Sequence, residues 1–235
     1  MRNYFIFAGT DSRDLGVYIS GQGTFNSPSR VYSLLTVPGR NGQLVGNDRR
    51  LENVELTYPA FMYTNFESGM AALRSFLLSQ IGYKRLTDSY HPDEFRLALY
   101  QNELQAEATS KNNAGNFDIT FFCKPQRYLV SGETVQTFMA DGTITNPTAF
   151  DSQPLIRVYG KGRIGIGENS ILITDADEYT DIDCEAMEAY HDATSCNDQI
   201  EIQGLDFPTL HAGENGITLG TGITKVEITP RWWRV

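Results

Sequence analysis

The residues Gly160-Lys161-Gly162-Arg163-Ile164-Gly165 spell a literal GxGxxG after the apolar run Leu155 to Tyr159. Asp181 follows about twenty residues on, the layout in which a dinucleotide's pyrophosphate rests on a helix N-terminus and an acid takes the ribose. That chemistry needs a helix to open at the loop. Here Ile166-Gly167-Glu168-Asn169 and then the β-branched run Ile171-Leu172-Ile173 follow, so the glycines are read as serving the tight turns of a β-hairpin. A second candidate is the acidic stretch Asp175, Asp177, Glu178, Asp181, Asp183, Glu185, Glu188 and Asp192. Spaced carboxylates suit calcium, but counting from Asp175 puts Thr180 where the EF-hand loop needs Gly and Ala186 where it needs a bidentate Glu. A solvated hairpin face is the expectation.

Cys184, His191 and Cys196 have neither zinc-finger spacing nor the helix N-terminus or Gly-rich elbow that would activate a thiol. With Cys123 they are read as buried free thiols. His91, before Pro92, and His211, in a Gly-rich loop, are expected at the surface, and Ser195 has no elbow around it. Paired carboxylates for glycoside hydrolysis stay open, because such partners can come from distant strands. No catalytic set, cofactor site or metal site emerges, and a non-enzyme is expected. Trp232 and Trp233, flanked by Arg231 and Arg234, form a different kind of candidate. Neighbours on a strand point to opposite faces, so one indole is expected in the core and the other free for contact, including sugar stacking.

The elements that must position these residues are almost all strands. One helix is legible, Phe66 to about Gln80, with an apolar stripe Phe66, Met70, Leu73, Leu77 widened by Phe76 and Ile81. Thr64 and Glu67 have capping-box spacing, and Gly82 is read as the stop. Strands are expected at Tyr4 to Ala8, Leu15 to Ser20, Val31 to Val37, Val54 to Tyr63, Glu94 to Tyr100 and Asn116 to Phe122. Further strands are expected at Leu155 to Tyr159, Ser170 to Thr174, Gln199 to Gln203 and Ile223 to Thr229. Turns are expected at Pro38-Gly39, Asn41-Gly42, Asp141-Gly142 and Asn215-Gly216. The helix lies before, and only strands and turns lie after, a boundary between Tyr128 and Pro147, giving domains 1–130 and 131–235: an α+β domain and a β-sandwich.

Composition narrows the partners. The 19 Lys+Arg against 29 Asp+Glu leave a net charge of −10 over 235 residues, which argues against a basic nucleic-acid groove or a polybasic membrane face. There is no run of 18 apolar residues for a membrane-spanning helix. Asp11, Arg13 and Asp14 interrupt the apolar stretch that a signal peptide would need. An odd cysteine count without CxxC suits folding in a reducing cytoplasm.

Segments spread over nearly the whole chain resemble the distal tail (Dit) family of long-tailed, non-contractile phages. They are Asp14-Leu15-Gly16-Val17, the PGR-x-G turn Val37-Pro38-Gly39-Arg40-Asn41-Gly42, Gly82-Tyr83 with Leu86, and Phe117 to Tyr128 with its Lys124-Pro125-Gln126-Arg127-Tyr128 signature. Asn146-Pro147, Pro154-Leu155-Ile156, Tyr159-Gly160, Ile182-Asp183-Cys184-Glu185, Phe207-Pro208, Leu210 and Gly213-Glu214-Asn215 continue the match. It ends at Ile228-Thr229-Pro230-Arg231-Trp232-Trp233.

The resemblance implies a virion structural protein at the distal end of the tail, made in the host cytoplasm. It would form a homo-hexameric ring hub of the tip or baseplate, joining the tail tube protein to the tail-tip protein and offering docking to receptor-binding proteins. The N-terminal domain would be a tail-tube-like β-barrel or sandwich with one α-helix and a hairpin, and would build the ring. The C-terminal domain would be a galectin-like β-sandwich facing outward, with no room for an inserted sugar-binding module. DNA would meet the protein only in transit through the ring; the net charge of −10 per copy, rather than the resemblance, suggests acidic side chains on the lumen that keep it from sticking. Pro38, Gly39, Arg40, Gly42, Arg231, Trp232 and Trp233 are the motif or contact candidates. The alternative is a carbohydrate-binding module recognising the host surface through Trp232 or Trp233; a cell-wall hydrolase is a third reading.

Overall fold

The computed structural model describes residues 2–21, 23, 25–109, 113–176, 178–204 and 206–235, without the side chains of 47–49. The chain is mainly β with one α-helix and divides into two compact units, residues 1–127 and 128–234, Val235 counting with the first.

The first unit contains β1 (Phe5–Phe7), β2 (Thr10–Asp11), β3 (Tyr18–Ile19), β4 (Arg30–Thr36), β5 (Gln43–Leu51), β6 (Val54–Met62), α1 (Phe66–Ser79), β7 (Lys84–Asp88), β8 (Glu94–Leu99), β9 (Ala106–Thr109) and β10 (Ala114–Cys123). Its sheet runs β2-β1-β7-β8-β10-β6-β3, with β9 also on β10. The spine is the antiparallel pair β6/β10, in register from Val54 opposite Cys123 to Met62 opposite Gly115. Strict alternation buries Val54, Leu56, Tyr58, Ala60 and Met62 on one strand and Phe117, Ile119, Phe121 and Cys123 on the other. A one-residue slip of either strand would turn its own set to water. Helix α1 lays Phe66, Met70, Leu73 and Leu77 into the same core, where each fully buried side chain contributes about 1.5–3 kcal/mol.

Three local expectations change here. The helix N-cap is Asn65, in a left-handed conformation without a side-chain cap, rather than Thr64. The orphan amides are met from outside the helix: Phe66 N donates to the Asn113 carbonyl at 3.3 Å and Asn65 N to Asn113 Oδ1 at 3.1 Å. Ile81 does not widen the apolar stripe but is exposed, because the helix ends at Ser79 and the chain has already turned. The expected strand from Leu15 shrinks to Tyr18–Ile19, since a 3-10 turn occupies Ser12–Leu15, held by Asp11 accepting from Arg13 N and closed by left-handed Gly16.

Strand β11 (Arg127–Leu129) straddles the division, and the second unit contains β12 (Gln136–Phe138), β13 (Gly142–Asn146), β14 (Leu155–Gly160), β15 (Gly162–Ile166), β16 (Asn169–Ile173), β17 (Tyr179–Asp183), β18 (Glu188–His191), β19 (Thr194–Ser195), β20 (Ile200–Gln203), β21 (Gly213–Leu219), β22 (Ile223–Thr229) and β23 (Trp233–Arg234). Two sheets, β12-β22-β14-β17-β18-β19 and β13-β21-β15-β16-β20, face each other as a β-sandwich. Their shared core is rich in isoleucine, with Ile144, Ile156, Ile164, Ile171, Ile182 and Ile228 among its buried residues. Such β-branched side chains suit a pleated surface.

The GxGxxG stretch is not one hairpin. Strand β14 ends at Gly160 in one sheet and β15 starts at Gly162 in the other, so the glycines carry the chain across the sandwich. Gly160 (φ 99°) and Gly162 (φ 147°) are left-handed, and a Cβ on either would be driven into the carbonyl oxygens of Gly222 or Thr221. The hairpin comes one strand later, β15 with β16 around Gly167. Asn215-Gly216 is not a turn either; it lies inside β21, paired with Ile144 and Thr143.

Candidate functional site

The segment around Pro38 to Gly42 forms the tip of the β4/β5 hairpin, whose first pair is Thr36 with Gln43. Gly39 and Gly42 have φ near +78° and +79°, the left-handed region that glycine enters without penalty. Arg40 N donates to the Val37 carbonyl at 3.2 Å, and Gln43 Nε2 donates to Thr36 Oγ1 at 3.0 Å. Arg40 itself is exposed.

Below the tip, Leu34 faces Val45 and Leu35 faces Leu44 across the ribbon. Successive residues on a strand point to opposite sides, so both sides of the ribbon are apolar. Tyr32, Leu34, Leu35, Leu44 and Val45 are 41–62% exposed, and among the described residues the ribbon joins no other sheet. A lone two-stranded hairpin is marginal in water, and exposed apolar side chains on it mark a surface made to be covered. Sequence reading missed this surface, although the adjacent pairs Leu34-Leu35 and Leu44-Val45 carried the signal: no single face can bury both members.

The carboxy-terminal motif is divided among three roles. Trp232 is buried in the core of the second unit. Its backbone carbonyl accepts from Leu129 N at 2.8 Å, and its close approach leaves no room for a Cβ on Gly132. Trp233 is half-buried, stacked on Phe150 with ring centroids 4.5 Å apart, and its Nε1 donates to the Asp151 carbonyl at 2.9 Å. Arg231, left-handed at φ 57°, forks onto Asp183 with two 2.8 Å bonds. Asp183 Oδ1 also accepts from the amides of Glu185 and Ala186. Arg231 thereby braces the turn between β17 and β18, and its guanidinium holds the Asp183 carboxyl below the ordinary value of 3.8.

The acidic stretch is only partly the solvated face expected. Glu178, Glu185, Glu188 and Asp192 are exposed, and exposed Asp175 pairs with Lys161. Asp181 is buried, however, and takes a bidentate Arg157 at 2.7 Å, while Asp183 serves Arg231. Both alternate along β17 with the core residue Ile182, on the face where the Tyr179 ring lies 4.0 Å from the Arg157 guanidinium carbon. Asp177 lies outside the described residues.

The thiols are inert in character. Burial pushes Cys123 and Cys184 up to about 12, and Cys196 is buried too. His191 Nδ1 is 2.8 Å from the Tyr179 carbonyl, and its ring sits against Tyr179. Among the described residues no group of three or more His, Cys, Asp and Glu is placed to hold a metal. His211 is half exposed beside Asp151, whereas His91 is only partly exposed. It is held in the turn after β7, where Asp88 Oδ1 accepts from Tyr90 N and His91 N at 2.9 Å. Tyr58 donates to the other Asp88 oxygen at 2.6 Å. Glu94 and Arg127, both largely buried, form an ion pair at 2.7 Å nearby.

The net charge is not shared between the units. Residues 1–127 carry 13 Lys/Arg against 12 Asp/Glu, and residues 128–235 carry 6 against 17, so the nets are +1 and −11.

No family model matches the sequence, and no curated protein matches it. Solved structures do. The Dit protein of phage SPP1, described as a paradigm of the hub adsorption apparatus in phages infecting Gram-positive hosts, superposes with a TM-score of 0.74 at 13% identity. The match covers 100% of both chains. The chain has the fold of SPP1 Dit. A structure of the phage p2 baseplate, in its activated conformation with Sr, also matches, with a TM-score of 0.54 at 10% identity over 99% of this chain and 98% of that one.

Proposed function

We propose that the protein is a distal tail protein of the Dit family, a non-enzymatic structural component of a phage tail tip or baseplate that resides in the virion. The observation that carries this reading is the likeness to SPP1 Dit, which spans both units and covers 100% of both chains. Likeness of fold alone does not carry function; the family motifs at Pro38 to Gly42, Lys124 to Tyr128 and Pro230 to Trp233 are a property of the amino-acid sequence and support the reading independently.

In this reading six copies close into a ring through heterologous contacts, which join unlike surfaces of neighbouring subunits. The first unit builds the ring, and the β4/β5 hairpin is the arm through which one copy engages the next. The exposed apolar pairs on that arm support the assignment. The ring sits between the tail tube protein and the tail-tip protein, and the second unit is available to receptor-binding proteins. DNA passes through without being bound. The first unit nets +1 and the second −11, so an acid lining of the channel would come from the placement of the first unit's twelve carboxylates and not from a net excess there.

The carbohydrate-binding alternative loses support from its own residues, because Trp232 is buried and one face of Trp233 is spent on Phe150. Light scattering on the eluting protein, with electron microscopy of the same fractions, tests the hub reading. A hexameric mass and ring-shaped particles are expected. A monomer at high concentration with no rings would overturn it.

A further inference from the structure

The sequence contains two Asn-Gly pairs, and the fold treats them oppositely. Asn41-Gly42 lies at the tip of the β4/β5 hairpin, and both residues are exposed. Asn215-Gly216 lies inside β21, and Asn215 is only 2% exposed. Its Nδ2 donates to the carbonyls of His211 at 2.8 Å and Gly213 at 3.0 Å, and its Oδ1 accepts from His211 N at 2.8 Å. An asparagine followed by glycine is poised for an intramolecular reaction, because no side chain shields the next backbone nitrogen. The reaction needs a backbone free to bring that nitrogen onto the side-chain carbon.

We propose that Asn41 is a self-modification site, converted spontaneously to aspartate and isoaspartate at the arm tip, while Asn215 is protected by its strand. The Gly42 nitrogen attacks Asn41 Cγ, a C–N bond forms and closes a five-membered succinimide, and the Gly42 amide proton passes to water. The original Cγ–Nδ2 bond breaks and the nitrogen leaves as ammonia, taking up a proton. One water then opens the ring at either carbonyl, leaving a carboxylate on a normal or a lengthened backbone. The sum is asparagine plus water to aspartate or isoaspartate plus ammonia, with no oxidant or reductant. At Asn215 the same attack requires three side-chain hydrogen bonds and part of the β13/β21 ladder to open first. Only the locally opened population reacts there.

The product places a negative charge beside Arg40 on a ribbon whose sequence carries Arg30, Arg40, Arg49 and Arg50 against Asp48 alone. Resting on the hub reading, this charge weakens engagement of the arm by the next copy, so the unassembled protein loses competence as it ages.

Two measurements keep the parts separate. Purified protein is held at mildly alkaline pH, digested, and mapped peptide by peptide for the exchange of NH₂ by OH. Conversion at Asn41 should exceed that at Asn215 more than about tenfold, since each 1.4 kcal/mol of opening costs a factor of ten. Equal conversion at the two sites, or an unchanged Asn41, would overturn the proposal whatever the protein assembles into. Asn41→Asp and Asn41→Gln are then compared with wild type by light scattering. The hexamer fraction should fall for Asn41→Asp and not for Asn41→Gln; equal assembly of all three removes the effect on assembly while leaving the hub reading intact. If none of the three forms a hexamer, the hub reading fails with it, and the peptide map still decides the chemistry.

Discussion

The two units distribute polarity in opposite ways. The first draws charge inward, with Glu94, Arg96 and Arg127 largely buried around Asp88 and Tyr58, and turns leucine and valine outward on the hairpin. The second packs an isoleucine-rich core and, among its described residues, exposes most of its carboxylates, Asp181 being the buried one. Buried ion pairs are a weak source of net stability but a costly one to misplace, and exposed apolar ribbon is a liability in an isolated molecule. The first unit therefore has the profile of a part finished by assembly. The second has that of a self-contained body with a strongly acidic surface.

That contrast can be broken most directly at the hairpin. Leu35→Glu should abolish the hexamer while leaving the stability of each unit within about 0.5 kcal/mol, as for other exposed substitutions; a hexamer that persists by light scattering would show the arm is not the assembly element. Trp232→Ala should do the reverse, costing the second unit about 3–5 kcal/mol in urea unfolding through the cavity it leaves. Both tryptophans lie in the second unit, so Trp233 fluorescence still follows that transition.

Arg231→Ala should cost about 2 kcal/mol, less than the loss of a fully buried pair because the Arg231–Asp183 contact is partly open to water. Arg231→Lys should recover little of this, lacking the planar fork. The same pair sets a pH dependence. Asp183 is depressed below 3.8 by Arg231, so its contribution is complete above the unfolded-state value and is lost as pH falls through the lower folded value. Acid unfolding read by tryptophan fluorescence should therefore lose part of its slope in Arg231→Ala; an unchanged profile would remove Asp183 from the account. The smallest effect is that of salt. Raising ionic strength should stabilise the −11 unit by under about 1 kcal/mol and leave the +1 unit unmoved, measured by amide hydrogen exchange resolved along the chain.

Alternation and helical period made the cores legible in the sequence: the faces of β6 and β10 and the stripe of α1 were visible as spacing alone. What spacing could not reveal was where the chain satisfies its polar groups from a distance. Thr64 looked like a cap because Glu67 stood three residues on, but Asn113, nearly fifty positions away, meets those amides. Asn215-Gly216 looked like a turn because turn chemistry is local, whereas Asn215 uses its amide to close the loop before a strand. Glycines at 160 and 162 resembled a phosphate cradle and answer instead to neighbouring carbonyl oxygens. At the hairpin the motif Pro38 to Gly42 was visible, yet the apolar ribbon beneath it was not, since a run such as Leu34-Leu35 reads equally well as a buried strand.

The three cysteines, described above only as buried and inert, make the molecule silent toward thiol-directed reagents in its folded state. A single cysteine introduced at Arg40 would then be the one reactive handle on the chain. A dye placed there reports on the arm tip alone, and a bifunctional linker placed there can trap whichever neighbour the arm meets.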